Sequence, residues 1–255
     1  MDEISMTSRS KVCLSYWFPK LLELGISVPE TYVCSIPREL MLAKPLCGET
    51  FTEEEQRLVD GLIADLTVAA ERIGFPVFLR SGWTSHKHGW KDSCYVERAD
   101  QIRSHVMNIV EFSEMVDVLG LPTSVWVVRK MLEPITFFHA FNGMPVNLEV
   151  RLFAGPHGLY CYHPYWPKEA LESRSAQPDN ENWESLFEIL RIKCVERGPE
   201  LFDDSVKIAQ ALGRDWSIDW LLTKEDKWYC TDMAPAAISY HWPGCDMAAR
   251  WEKKV

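Results

Sequence analysis

The chain lacks the short signatures that identify many enzymes from sequence alone. It has no Gly-x-Ser-x-Gly elbow, and no Gly-x-Gly-x-x-Gly run follows a strand. Eight cysteines are present, but none forms a Cys-x-x-Cys pair, which argues against a zinc ribbon. Seven histidines show no metal-ligand spacing such as His-x-x-x-His. His86 and His88 would face the same way only in a strand. No apolar run is long enough to span a membrane, and the Met1-Asp-Glu-Ile-Ser5 start lacks the basic-then-apolar pattern of a leader. Basic residues are outnumbered, 27 against 37 acidic, giving a net charge of −10. That balance argues against duplex nucleic acid as a partner, because such binding relies on Lys and Arg. Cysteines without a disulfide framework point to a reducing compartment, so a cytoplasmic location is expected.

What is abundant is tryptophan, with 11 copies in 255 residues. Large aromatic surfaces are therefore available for packing or stacking. The most informative stretch is Trp216 to Pro235, read as two strands joined by a short charged turn. Each strand carries one carboxylate in an apolar run, Asp219 and Asp232. Burying them is costly unless a cation neutralises them. Two on paired strands could share one, and a hard ion such as Mg²⁺ takes carboxylate oxygens together with phosphates.

Elsewhere the pattern is mixed. Residues 11–35 predict a short helix ending at Gly25 and a strand after Pro29. Thr52-Glu-Glu-Glu55 is a capping box, opening a helix with Leu58, Leu62, Leu66, Ala69 and Ile73 on one stripe and Gly74 at its end. A strand is expected at 76–80. A second helix over 99–118 turns Ile102, Val106, Ile109 and Val110 inward. Strands are expected at 124–129, 147–153 and 158–163, the last two joined by Gly155-Pro-His-Gly158. Helices follow at 181–196 and 199–212. This predicts an α+β fold with an antiparallel sheet in the second half. Three parts are expected: an N-terminal segment 1–50, a lobe over 51–128 and a second lobe over 129–255.

Several segments carry possible chemistry. Arg80-Ser-Gly-Trp-Thr-Ser-His-Lys-His-Gly-Trp-Lys91 joins cations, glycines and hydroxyls after a strand. It suits a phosphate, or is a solvated surface loop. The polar turn after Val125–Arg129 can offer backbone groups to a purine edge, or is an ordinary strand end. Glu149 and Arg151 share a strand face, lining a cleft or forming a structural ion pair. His163-Pro-Tyr-Trp166 and Ser239-Tyr-His-Trp242 can contact an acceptor or simply pack.

The order of these features resembles the ATP-grasp superfamily, over about residues 50–235. It looks closest to the eukaryotic cell-division-cycle ATP-grasp proteins, which are assembly chaperones for a translation initiation factor. Their Lys-x-Asn-Trp-Ser run resembles the segment from Arg80 to Trp90, with Arg80 for the first Lys. Their Leu-Arg-Lys hinge is similar to Val128-Arg-Lys130, and their Glu-Phe-Arg to Glu149-Val-Arg151. Their Asp-Val strand resembles Ile218-Asp219, and their Asp-Phe-Asn-Pro resembles Asp232-Met-Ala-Pro235. The resemblance implies two α+β lobes with antiparallel sheets clamping a nucleotide. It implies Asp219 and Asp232 as Mg²⁺ ligands, and Arg80, Lys87 and Arg151 on the phosphates of ATP. Backbone from Lys130 through Met131 to Leu132 would meet adenine. Lys87 and Arg151 would also assist catalysis in an ATP-dependent carboxylate–amine ligase whose acceptor is a small molecule, a peptide or a protein. An assembly chaperone with little turnover is the alternative. Ala234 stands where that family carries a metal-assisting Asn, and Arg80 replaces a point charge with a fork.

Overall fold

The computed structural model describes residues 11–116 and 120–251. The leader reading at Met1–Ser5 and positions 117–118 of the expected 99–118 helix lie outside them. The chain forms two compact units. One, the central unit, holds residues 29–132 and 141–144. The other, the C-terminal unit, holds, among the described residues, 11–28, 133–140 and 145–251. The described part of the segment 1–50 is thus divided between the two at residues 28 and 29.

In the central unit, β1 (Thr31–Ser35), β2 (Val77–Ser81), β3 (Tyr95–Val96) and β4 (Val125–Lys130) form an antiparallel sheet in the order β1-β4-β2-β3. Helix α2 (Glu53–Ile73) begins at Thr52, whose hydroxyl accepts the Glu55 N–H while the Glu55 carboxylate accepts the Thr52 N–H. Lys44 reaches the same carboxylate at 2.7 Å and holds it below the usual range. The buried stripe of α2 is Val59, Leu62, Leu66, Ala69 and Ala70. Leu58 is exposed instead, since the helix packs through Val59 towards the core that contains Leu40 and Leu42. Helix α3 (Ile102–Val116) buries Ile102, Val106, Ile109 and Val110 as its spacing predicts. Both helices meet Val77, Leu79, Trp126 and Val128, one face of the sheet.

In the C-terminal unit, β7 (Glu149–Gly155), β8 (Gly158–Pro164), β9 (Trp216–Leu222) and β10 (Trp228–Pro235) form a second antiparallel sheet, ordered β10-β9-β7-β8. Helices α5 (Trp183–Arg197) and α6 (Phe202–Leu212) follow a short α4 (Lys168–Leu171). The Trp220 indole donates to Ser205 Oγ on α6 at 3.0 Å, which satisfies a buried N–H. Helix α1 (Leu14–Glu23) belongs here because it packs on α6 and β10, with Tyr16 stacked on Trp216. A strand pair that the sequence pattern does not reveal, β5 (Thr136–Ala140) with β6 (Met144–Asn147), makes a small separate sheet. Short apolar runs of this kind carry no clear period-two signal.

Gly155 permits a close approach at the β7–β8 turn. A Cβ there would sit 2.2 Å from both Asp215 Oδ1 and Tyr160 Oη. Those two groups are hydrogen-bonded at 2.8 Å, and Arg250 and Trp251 from the C-terminal tail join them. The tail is therefore docked on β8 by a polar cluster as well as by its aromatic rings.

Removing the α2 cap tests the local account. Thr52→Ala should cost about 1 kcal/mol in urea denaturation. Thr67→Ala, on the same helix but away from its end, should differ from the parent by clearly less. Equal effects would mean that the capping box contributes nothing specific.

Candidate functional site

The C-terminal sheet places four polar side chains in one row. The registers pair His163 with Arg151, Arg151 with Asp219, and Asp219 with Asp232. Directly opposed residues in an antiparallel sheet share a face. The other face carries Val150, Leu152, Ile218 and Trp220, all at 1% exposure or less, and it packs on α6. One face thus builds the core and the other gathers charge.

Arg151 and Asp219 meet as a fork. Nε donates to Oδ1 at 2.7 Å and a terminal nitrogen to Oδ2 at 2.8 Å. Their side chains are 15% and 4% exposed, so solvent screens them little. Burial works against the charge on Arg151, but Asp219 beside it outweighs this and holds the guanidinium above its ordinary range. The Tyr165 ring lies 4.8 Å from the guanidinium carbon. The cation that the apolar run around Asp219 demands is therefore on the neighbouring strand.

Asp232 sits beside a β-bulge between Cys230 and Asp232. Thr231, the extra residue, lies with its hydroxyl 3.3 Å from the Asp219 carbonyl and 3.4 Å from Glu149 Oε1. Bulges re-aim side chains in this way. One oxygen of Asp232 accepts the Met233 N–H at 3.0 Å. The sequence pattern does not single out Thr231, because a bulge breaks the alternation on which such a pattern depends.

The central sheet has a comparable second face. Arg80 lies opposite Val127, and Arg129 opposite Phe78, so both arginines leave the face away from α2 and α3. They are 4% and 3% exposed. Arg129 was missed as a site candidate, although strict alternation from Val127 would have found it. Arg80 Nε donates to the Ser81 carbonyl at 3.1 Å.

The loop after Arg80 is largely buried, and the amides of residues 81–84 are engaged. Ser81 Oγ accepts the N–H groups of Trp83 and Thr84, and Gly82 N–H goes to the Val125 carbonyl. Gly89 N–H goes to the His86 carbonyl. Gly82 thus ties the loop to β4, and Gly89 closes it on itself. The His86 ring stacks on Phe112 and the His88 ring on Phe141, with centroids 4.1 and 4.3 Å apart. Lys87 is half-buried, as are Met131 and Leu132, whereas Lys130 is exposed. The Lys130 N–H is taken by the Glu30 carbonyl at 2.9 Å.

The two aromatic segments considered for acceptor contacts come together. Trp242 stacks on His163 at 4.7 Å, and His241 lies against Phe153 at 4.7 Å. The segments are joined by packing, so the aromatic-packing alternative accounts for these contacts.

No protein-family model matches the chain, and neither does any curated protein. Solved structures do resemble it in part. The ATP-grasp ligase PsnB, complexed with a minimal precursor, aligns at 10% identity and TM-score 0.47, covering 96% of this chain and 57% of that one. D-alanyl-alanine synthetase A from Vibrio cholerae aligns at 16% identity and TM-score 0.43, covering 89% and 56%. An N5-carboxyaminoimidazole synthase from Aspergillus clavatus, in complex with ADP and its ribonucleotide, aligns at 11% and 0.42, covering 90% and 45%. This chain spans about half the length of these proteins. A TM-score below 0.5 does not fix a fold, and the architecture stands on the two sheets described above.

The ion pair makes a distinct stability prediction. Arg151→Met should cost about 3–5 kcal/mol, because it leaves Asp219 buried without its cation. Adding Asp219→Leu should recover most of that loss. A double variant as unstable as the sum of the two singles would show that the pair is not coupled.

Proposed function

We propose that the chain is an ATP-grasp protein that binds Mg-ATP and acts as an ATP-dependent carboxylate–amine ligase through an acyl-phosphate. The supporting observation is the row Arg151–Asp219–Asp232 on one sheet face, with Glu149 two residues before Arg151. It agrees with the motif order of the resemblance.

The donor set suits a hard divalent ion. Asp219 presents two oxygens to Arg151, yet each carboxylate oxygen has a further lone pair. Asp232 opposes it on the next strand, and the Thr231 hydroxyl lies between the Asp219 carbonyl and Glu149 Oε1, adding oxygen atoms nearby. Asp219 and Asp232 would hold Mg²⁺, with water and phosphate oxygens completing its shell. The ion would supply charge stabilisation at the phosphates of ATP.

The chain's own groups have separate tasks. Arg151 is fixed by Asp219 and needs no reorganisation to face a second anion, which is the property wanted of an electrostatic stabiliser. Arg80 and Lys87 would neutralise phosphate oxygens, and Arg129 adds a buried positive charge to the face of Arg80. Backbone from Lys130 to Leu132 would meet the purine, through carbonyls and the amides beyond Lys130, because the Lys130 N–H is already engaged.

A second reading is a nucleotide-dependent assembly protein with little turnover. Ala234 favours it, because a methyl group cannot assist a metal where the resembling family has Asn.

Calorimetric titration tests the nucleotide site. ATP should bind with Mg²⁺ and lose most of its affinity in chelator. Asp232→Asn should weaken Mg-ATP binding tenfold or more, while Glu225→Gln in the exposed turn should not. Equal affinity with and without Mg²⁺ would remove the metal role. ADP release is then measured against pooled amino acids, peptides and small carboxylates, for the parent and for Ala234→Asn. Acceptor-stimulated turnover supports the ligase. Tight ATP binding without turnover in either form supports the assembly protein.

A further inference from the structure

One cluster of side chains takes no part in nucleotide binding as proposed above. Cys161 and His163 lie two apart on β8 and share a face. His241 and Cys245 lie four apart in the C-terminal tail, where Cys245 N–H turns back to the Trp242 carbonyl at 3.3 Å. The ligand atoms of all four lie within 4.8 Å of one another, and all four residues are half-buried. We propose that Cys161, His163, His241 and Cys245 form a closed structural site for Zn²⁺ that fastens the C-terminal tail to β8.

The donor chemistry selects the metal. Two thiolates and two imidazoles in a four-coordinate arrangement suit Zn²⁺, whereas Mg²⁺ takes oxygens. Zinc–sulfur bonds of about 2.3 Å and zinc–nitrogen bonds of about 2.0–2.1 Å imply ligand spacings of roughly 3.3–3.8 Å in a tetrahedron. The cluster is within a small contraction of that. Cys161 Sγ already lies 3.1 Å from His241 Nε2, and the two imidazole centroids are 5.1 Å apart.

A further observation points to a cation. His163 Nε2 is buried with no hydrogen-bond partner, which an unliganded role leaves unexplained. Binding balances simply: two thiols release two protons to solvent, two neutral imidazoles keep theirs on the outer nitrogens, and Zn²⁺ with two thiolates leaves a centre of zero net charge. Cys161 and Cys245 form no disulfide.

The surroundings fit a structural centre. Trp242 covers His163, while Phe153 and Trp251 pack on His241. The Asp215–Tyr160–Arg250 cluster already brings the tail to the same strand. His163 also opposes Arg151 in register, so the metal would hold the tail beside the charged row.

The test uses the full chain, without a metal-binding tag and purified without chelator. Elemental analysis should find about one zinc per chain, the stoichiometry of a closed four-ligand site. Chelator-treated protein should take up Zn²⁺ with a rise in melting temperature. Replacing zinc by Co²⁺ should give the visible bands of a tetrahedral ion and a thiolate charge-transfer band. The Cys161→Ser, Cys245→Ser double variant should lose zinc uptake, and the charge-transfer band with it. Should that variant not fold, the cobalt spectrum of the parent decides: a thiolate charge-transfer band upholds the site, and its absence overturns it. Absence of zinc from the parent together with no uptake after chelation also overturns the proposal. So does undiminished zinc uptake by a folded double variant, or a Cys161–Cys245 disulfide in the metal-free protein. Because the probe is Zn²⁺ with no nucleotide, each result is separable from the fate of the Mg-ATP reading.

Discussion

A carboxylate inside an apolar strand is tolerable only beside a cation, and the C-terminal sheet is arranged around that requirement. Asp219 sits among Ile218, Trp220 and Leu221, all buried. Arg151 meets it from the adjacent strand with two hydrogen bonds. This fixes the β7–β9 register, since a one-residue slip would turn the carboxylate onto the helix-packed face and send Trp220 outward. The same pairing leaves Asp232, Thr231 and His163 on the charged side. Stability and candidate chemistry therefore rest on one contact.

The central unit separates the two demands differently. Its helices cover one face of the sheet with a continuous apolar core, and its buried arginines occupy the other. The loop after Arg80 uses its hydroxyls and glycines to satisfy its own backbone. Any anion recognised there would be met by side-chain charge more than by the amides of residues 81–84. That is a consequence of backbone satisfaction: an N–H already paired within the loop has no second hydrogen to offer.

Much of the architecture is legible because helices and strands carry local periods. The capping box at Thr52, the inward stripe of α3 and the β7–β8 turn all follow from residues within a few positions of each other. The same rule explains the errors. Leu58 replaced Val59 on the predicted stripe because both satisfy the spacing to Leu62, and only the tertiary neighbours choose between them. The β5–β6 pair escaped because its runs are too short to show a period. Arg129 was recoverable from alternation, whereas Thr231 was not, because its position depends on a bulge.

The sequence by itself determined which residues alternate together: Glu149 with Arg151, and Cys161 with His163, each by the two-residue repeat of a strand. It also determined that Asp219, if buried in its apolar run, needed a positive partner, from the cost of burying charge. Only the tertiary structure decided that this partner is Arg151 for Asp219, 68 residues away. It alone brought His241 to Cys161 across 80 residues, making a metal-ligand set from two spacings that signify nothing separately. The reason is that local periods say which face a side chain takes, while the strand register and the path of the tail say what that face meets.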